Sequence, residues 1–130
     1  MTIKRISSGA GLPAGFPFSL ASAGNGIVFI SGMSALDAAG ALAPGRFEEE
    51  ADRAWASVTA IADASGCSAS DLLYVQLLLA DIGNYGGIDT WWRGQFPDPA
   101  TAPARLTFQA GALPFGARIE FQAVAAAGSS

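Results

Sequence analysis

Arg118-Ile119-Glu120-Phe121-Gln122-Ala123-Val124-Ala125 reads as a strand near the end of the chain. Ile119 and Phe121 alternate with Arg118, Glu120 and Gln122, so apolar and polar side chains fall on opposite faces of an extended segment. A second apolar run, Ala104-Arg105-Leu106-Thr107-Phe108-Gln109, precedes it, and Gly111-Ala112-Leu113-Pro114-Phe115-Gly116 joins the two. If these strands pair antiparallel, Arg105 and Glu120 approach one another across the sheet edge. Arg105 follows Thr101-Ala102-Pro103-Ala104, where nothing nearby in sequence neutralises it. A guanidinium and a carboxylate so placed can orient a small carboxylate-bearing substrate and a water molecule. They can equally form an ordinary ion pair that ties two strands together.

Working outward, Leu72–Ala80 is a nearly continuous apolar run, the pattern of a central strand buried on both faces. Phe47, Ala51, Ala54, Trp55, Val58, Ile61 and Ala62 recur at helical spacing and predict a helix over Phe47–Ser65, with Gly66 as its stop. A second helix is expected over Asn84–Phe96, capped by Asn84 and ended by Pro97 and Pro99. Toward the N-terminus, Ile3–Ile6 reads as a short strand and Gly11–Gly15 as a loop. Phe18–Ala23 and Ile27–Gly32 form a hairpin around Gly24-Asn25-Gly26, residues that tolerate positive φ. Ser34–Gly45 is a turn-rich connection, and the small-residue tail Ala125–Ser130 is expected to fray. The order β-β-β-α-β-α-β-β gives an α+β fold: a sheet of about six strands with both helices on one face and the other face bare. The 130 residues suit a single domain over 1–130.

Composition narrows the chemistry. Hydrophobic residues make up 51% of the chain and charged residues 14%, rich for a small monomer, so part of the apolar surface is expected to meet another subunit. The formal charge is −4 and the few cations are scattered singly, which argues against a nucleic-acid partner. Neither a signal peptide nor a membrane span is visible, and the single cysteine, Cys67, suits a reducing cytoplasm. The chain has no histidine, which removes histidine general bases, histidine-dependent triads and nearly all zinc or iron sites; no metal site is expected. No glycine-rich phosphate cradle is present, so no nucleotide cofactor is expected. Arginine, carboxylate, hydroxyl and ordered water remain.

Other candidates have plain structural explanations beside the functional ones. Glu48, Glu49 and Glu50 are read as a solvated first helical turn that answers the helix dipole. Trp91 and Trp92 are adjacent on a helix and cannot face one way, so one is expected in the core and the other at the surface or an interface. Cys67 reads as a small buried residue. Ser31-Gly32 either offers a hydroxyl and backbone N–H groups to a ligand or makes a tight turn.

In order along the chain, Pro17-Phe18-Ser19-Leu20-Ala21, Ile30-Ser31-Gly32, Ala64-Ser65-Gly66, Pro103-Ala104-Arg105 and Ile119-Glu120-Phe121-Gln122-Ala123-Val124-Ala125 resemble landmarks of the RidA (YjgF) family. The resemblance covers about Phe16 to Ala125, and its last two motifs are the specific ones. It implies a chorismate-mutase-like fold assembled as a homotrimer, with sites in the clefts between subunits. It further implies cofactor-free hydrolysis of a 2-imino acid or its enamine tautomer to a keto acid and ammonia. By the same resemblance Arg105 grips the substrate carboxylate and Glu120 positions or activates water. Phe18, Ser31, Gly32, Thr107 and Phe115 then line the substrate site. The chain departs from the family pattern at Phe18, usually tyrosine, at Leu20, usually glutamine, and at Thr107, commonly cysteine. It also departs at Leu106, commonly small and polar, and at Gln122, often glutamate. Phe16, Phe18, Leu20 and Phe115 together imply a more apolar pocket and a bulkier or cyclic substrate. A non-catalytic trimer that binds a small acid is the alternative. The endoribonuclease activity associated with this family would lack phosphate attraction and a histidine acid–base pair here.

Overall fold

The last strand of the chain lies in the middle of the sheet. A computed structural model describes residues 2–127. Among them, β1 (Lys4–Ile6), β2 (Ala21–Gly24), β3 (Ile27–Met33), β4 (Leu72–Leu79), β5 (Ala104–Gln109) and β6 (Ile119–Ala126) form one sheet in the order β1-β2-β3-β6-β4-β5. Helix α1 (Phe47–Ala64) connects β3 to β4, and α2 (Tyr85–Gln95) connects β4 to β5. β6 pairs antiparallel with both β3 and β4, while β4 and β5 run parallel. The expected elements are all present, with ends shifted by a few residues at most. The hairpin turn forms as read, with Asn25 at φ 55° and Gly26 at φ 79°, both in the left-handed region that a tight two-residue turn requires. Of the tail, Ala125 and Ala126 belong to β6; Met1 and residues 128–130 lie outside the described residues.

The expected pairing of β5 with β6 does not occur, because β4 stands between them. The cause is topological. The segment joining β4 to β5 is a helical crossover, which sets β5 parallel beside β4 and leaves β4's other edge for β6.

Both helices pack on one face, as the element order predicts. Along β6, Ile119, Phe121, Ala123 and Ala125 are buried while Glu120, Gln122, Val124 and Ala126 are only half-buried. Ala51, Ala54, Trp55, Val58 and Ile61 of α1 and Ile88 and Trp91 of α2 complete the core. Trp55, Trp91 and Phe121 meet with ring centroids 5.2–5.7 Å apart. On the opposite face β4 is not buried as expected: Leu73 is exposed and Tyr74, Gln76 and Leu78 are half-buried. That face also exposes Phe29, Leu106 and Phe108.

Two further expectations are corrected. Trp92 is buried along with Trp91. Helix α2 sits in the corner between α1 and the sheet edge, so two of its sides are covered: Trp91 meets Trp55 and Phe121, and Trp92 packs on Phe96 beneath the Arg105 guanidinium. Glu50 is not part of a solvated helix start but is 1% exposed. Its Oε1 accepts from Arg118 Nε at 2.7 Å, and its Oε2 accepts from the backbone N–H of Arg118 at 2.6 Å and of Ile119 at 3.3 Å. Glu48 does remain exposed, while Glu49 is half-buried and accepts from the backbone N–H and the Nε of Arg46. Cys67 is buried, as read.

Glu50 thus latches α1 to the first residues of β6. Glu50→Ala should lower unfolding stability by about 2–3 kcal/mol, because two backbone donors and a guanidinium lose their acceptor together. Glu50→Gln, which keeps one acceptor, should lose less. The midpoint of urea unfolding checks the order of the three proteins.

Candidate functional site

The hydrogen-bonded partners in β4 decide which face each candidate occupies. Leu78 stands opposite Glu120, whereas Val75 and Leu77 stand opposite Ala123 and Phe121 on β6 and opposite Arg105 and Thr107 on β5. Residues opposite one another in neighbouring strands share a face. Arg105 and Thr107 therefore lie on the helix side, and Glu120 lies on the bare side. The expected approach of Arg105 to Glu120 does not occur within one chain.

Phe18, Ser31, Gly32, Phe115 and Glu120 do come together. They line a cavity of about 540 Å³ on the bare side, with Leu12, Phe16, Met33, Ser34 and Leu36 among its other walls. Phe16 and Phe18 stack with centroids 5.1 Å apart. Leu20 is fully buried in the core rather than lining the cavity, so it adds nothing to the cavity's apolar character. Its N–H joins it to β1 through Ile6 O, and the segment turns inward there before β2 begins.

β3 carries Ser31 and Gly32 where its pairing with β6 slips between Ile30 and Met33. This bulge is the actual setting of the dipeptide, neither a regular strand nor a turn. The Ser31 hydroxyl donates to Ser19 O at 2.7 Å, so its proton is spent inside the protein. Glu120 Oε1 accepts from the Ser34 hydroxyl at 3.2 Å. Ser34 carried no sequence signal, since its partner is 86 residues away. A Cβ added at Gly32 would lie 2.7 Å from Glu120 Oε2, so the missing side chain gives the carboxylate its space. At the rim, Phe115 is 58% exposed with φ 65°, a left-handed conformation that costs a non-glycine residue about 1 kcal/mol.

Arg105 sits on the edge strand, over the rings of Tyr85 and Trp92, 5.5 and 5.3 Å from their centroids. Its Nε donates to Thr107 Oγ1 at 2.7 Å and its Nη1 to Asp89 Oδ1 at 2.9 Å. Asp89 accepts from Arg93 as well, and hydrogen bonds from Arg93 and then Arg105 hold its carboxyl below the usual range. Asp89 escaped the sequence reading because it lies on the crossover helix, which reaches Arg105 only through the parallel β4–β5 pairing. A depression of about 190 Å³ opens beside the pair, walled by Trp92, Phe96 and Pro97.

Chemically, the bare-side cavity offers an apolar enclosure with one carboxylate, suited to a neutral or cationic group with an apolar substituent. Gly32→Ala should leave the thermal midpoint within about 4 °C of wild type, because the clash falls on the mobile end of a side chain. A crystal structure of the variant should show Glu120 turned away from Ser34.

The family model described as endoribonuclease L-PSP matches residues 10–127. A goat (Capra hircus) protein named 2-iminobutanoate/2-iminopropanoate deaminase is 35% identical over 128 residues, covering 97% of this chain and 92% of its own. The human protein of the same name is 34% identical over 128 residues, with coverage of 97% and 92%. The crystal structure of E. coli TdcF with bound serine superposes with a TM-score of 0.83 at 25% identity, covering 95% of this chain and 98% of that one. With the six-stranded sheet in place and the family model spanning nearly all of it, the chain belongs to the RidA (YjgF) family.

Proposed function

We propose that this protein hydrolyses a 2-imino acid, or the enamine tautomer of one, to the 2-keto acid and ammonia without a cofactor. Imine deamination in general is supported by the names of the relatives. The observation that carries the finer reading is the apolar cavity with Glu120 at its edge. Water, held by the Glu120 carboxylate, adds to the imine carbon, and a proton reaches the nitrogen. The carbon–nitrogen bond of the resulting carbinolamine then breaks, releasing ammonia as the carbonyl forms. A carboxylate at hydrogen-bond distance can orient that water and take its proton. The Phe16, Phe18 and Phe115 rings around the cavity favour a substrate with a bulkier or cyclic apolar side chain over a methyl group.

The substrate carboxylate falls to Arg105, as the family resemblance implies. Since Arg105 and Glu120 lie on opposite faces, one chain does not offer both to one small molecule. The proposed working form is therefore a homotrimer, with Glu120 and its cavity from one copy facing the β5 edge of the next. The bare apolar face, with Phe29, Leu106 and Phe108 exposed, supports self-association. RNA is not the proposed substrate: the charge is −4 and the cavity walls carry no cation.

Imines generated in situ by an amino-acid oxidase, from alanine-sized to aromatic, give the direct assay of ammonia release. Arg105→Ala should reduce kcat/KM about 10- to 100-fold, the loss of a charge-assisted grip. Glu120→Gln should reduce kcat about 100-fold. Saturable binding of 2-keto acids without acceleration of any imine would replace the enzyme with a non-catalytic binder.

Co-refolding the two variants in equal amounts tests the composite site. A site shared between neighbours draws Glu120 from one variant and Arg105 from the other, so about a quarter of the wild-type activity should return on random assembly. No recovery, from mixed oligomers shown to form, would overturn the shared site.

A further inference from the structure

We propose that Asp89 is a positioning residue that competes with the ligand's carboxylate for Arg105 and so sets how tightly that carboxylate is held. The inference rests on the reading of Arg105 as the carboxylate-binding group.

A guanidinium has five N–H protons on three nitrogens. In Arg105 the Nε proton is committed to Thr107 Oγ1. Nη2 is buried with no hydrogen-bond partner among the described residues. What remains is Nη1, the nitrogen on which Asp89 Oδ1 sits at 2.9 Å. An incoming carboxylate must meet Arg105 at the nitrogen Asp89 holds, or draw the guanidinium out from over the Tyr85 and Trp92 rings. Nη1 carries a second proton, so the newcomer either shares that nitrogen with an internal carboxylate of the same chemistry or displaces it, and in both cases competes with it. The orphaned Nη2 makes the resting pose an incomplete one, since a buried charged donor without an acceptor is costly. A pose that gave Nη2 a partner would recover that cost.

Arg93 sets the strength of this competition. Its Nε donates to Asp89 Oδ2 at 3.0 Å, the other oxygen of the same carboxylate. Shared between two guanidiniums, the carboxylate gives Arg105 only part of its hydrogen-bonding capacity. Asp89, Arg93 and Arg105 together leave one net positive charge, matched to a single carboxylate.

The two partners of the device should therefore act in opposite directions. Asp89→Asn keeps the shape but removes the competing charge, and should tighten binding of 2-oxobutanoate, the probe, by about threefold. Arg93→Gln should weaken it by about twofold, because Asp89 is then left wholly to Arg105. Titration calorimetry in about 1 M salt, where the screening length is about 3 Å, separates this contact effect from the general field of the changed charge. With an imino-acid substrate the same changes should appear in KM and leave kcat in place, since Asp89 touches no reacting atom.

A simply structural Asp89–Arg93 pair would weaken binding in both variants, and that result would overturn the competition. So would unchanged binding in both, with Arg105→Ala abolishing it. If Arg105→Ala itself leaves binding unaltered, or if no protein in the set binds the probe, the reading of Arg105 fails first and takes the competition with it. Arg93 is 76% exposed, so Arg93→Gln folds independently of any defect in Asp89→Asn and keeps the test decisive.

Discussion

The pairing of β6 along both its edges is the constraint on which the rest of the structure depends. Phe121 meets Met33 of β3 on one side and Leu77 of β4 on the other, while its ring packs against Trp55 and Trp91. The strand that arrives last in sequence thus closes the sheet and completes the aromatic core. Its contacts with β3 join residues roughly ninety positions apart, such as Ile30 with Ala123, so the sheet is not finished until β6 is in place. Glu50 fixes the start of that strand by taking the N–H groups of Arg118 and Ile119. The fold and the placement of Glu120, the next residue, are therefore one problem with one solution.

What the sequence made legible follows from how local each signal is. The helical spacing of Ala51, Ala54, Trp55, Val58, Ile61 and Ala62, and the alternation from Ile119 to Ala125, depend only on the period of each element, and both elements formed as read. Glycine stops and the Asn25-Gly26 turn are set by φ and were equally legible. Pairing is another matter. Nothing between Gln109 and Ile119 says that β4 will separate the two strands, and without that fact Arg105 and Glu120 look like neighbours. Trp92 illustrates the same limit: helix periodicity excludes a common face with Trp91, yet a helix in a corner has two faces to bury.

The charged residues sort along the same line. Arg118 and Arg105 each find an acidic partner that is distant in sequence, Glu50 at 68 positions and Asp89 at 16. Periodicity placed Glu50 on a helix start and stopped there. It reported neither that the first turn of α1 abuts β6 nor that one of three consecutive glutamates turns inward. The cavity residues were legible for a different reason. Phe18, Ser31, Gly32, Phe115 and Glu120 lie on four segments that only the family resemblance linked, and the structure brings all five to one cavity.

The division of polar groups between the two faces has a chemical logic. If Arg105 and Glu120 shared a face in one chain, the strongest partner of each would be the other, and the ion pair would compete with any substrate. Placed on opposite sides, Arg105 rests against Asp89 and Glu120 against a neutral hydroxyl, so the carboxylate proposed to serve as base is not neutralised by the arginine proposed to bind the anion. A sheet keeps the two groups apart in a way that a flexible loop would not, because each residue's face is fixed by the pleat. On the reading proposed above, the groups meet only where a second copy closes the cavity. The same packing that covers Phe29, Leu106 and Phe108 then assembles the site and excludes bulk water from it.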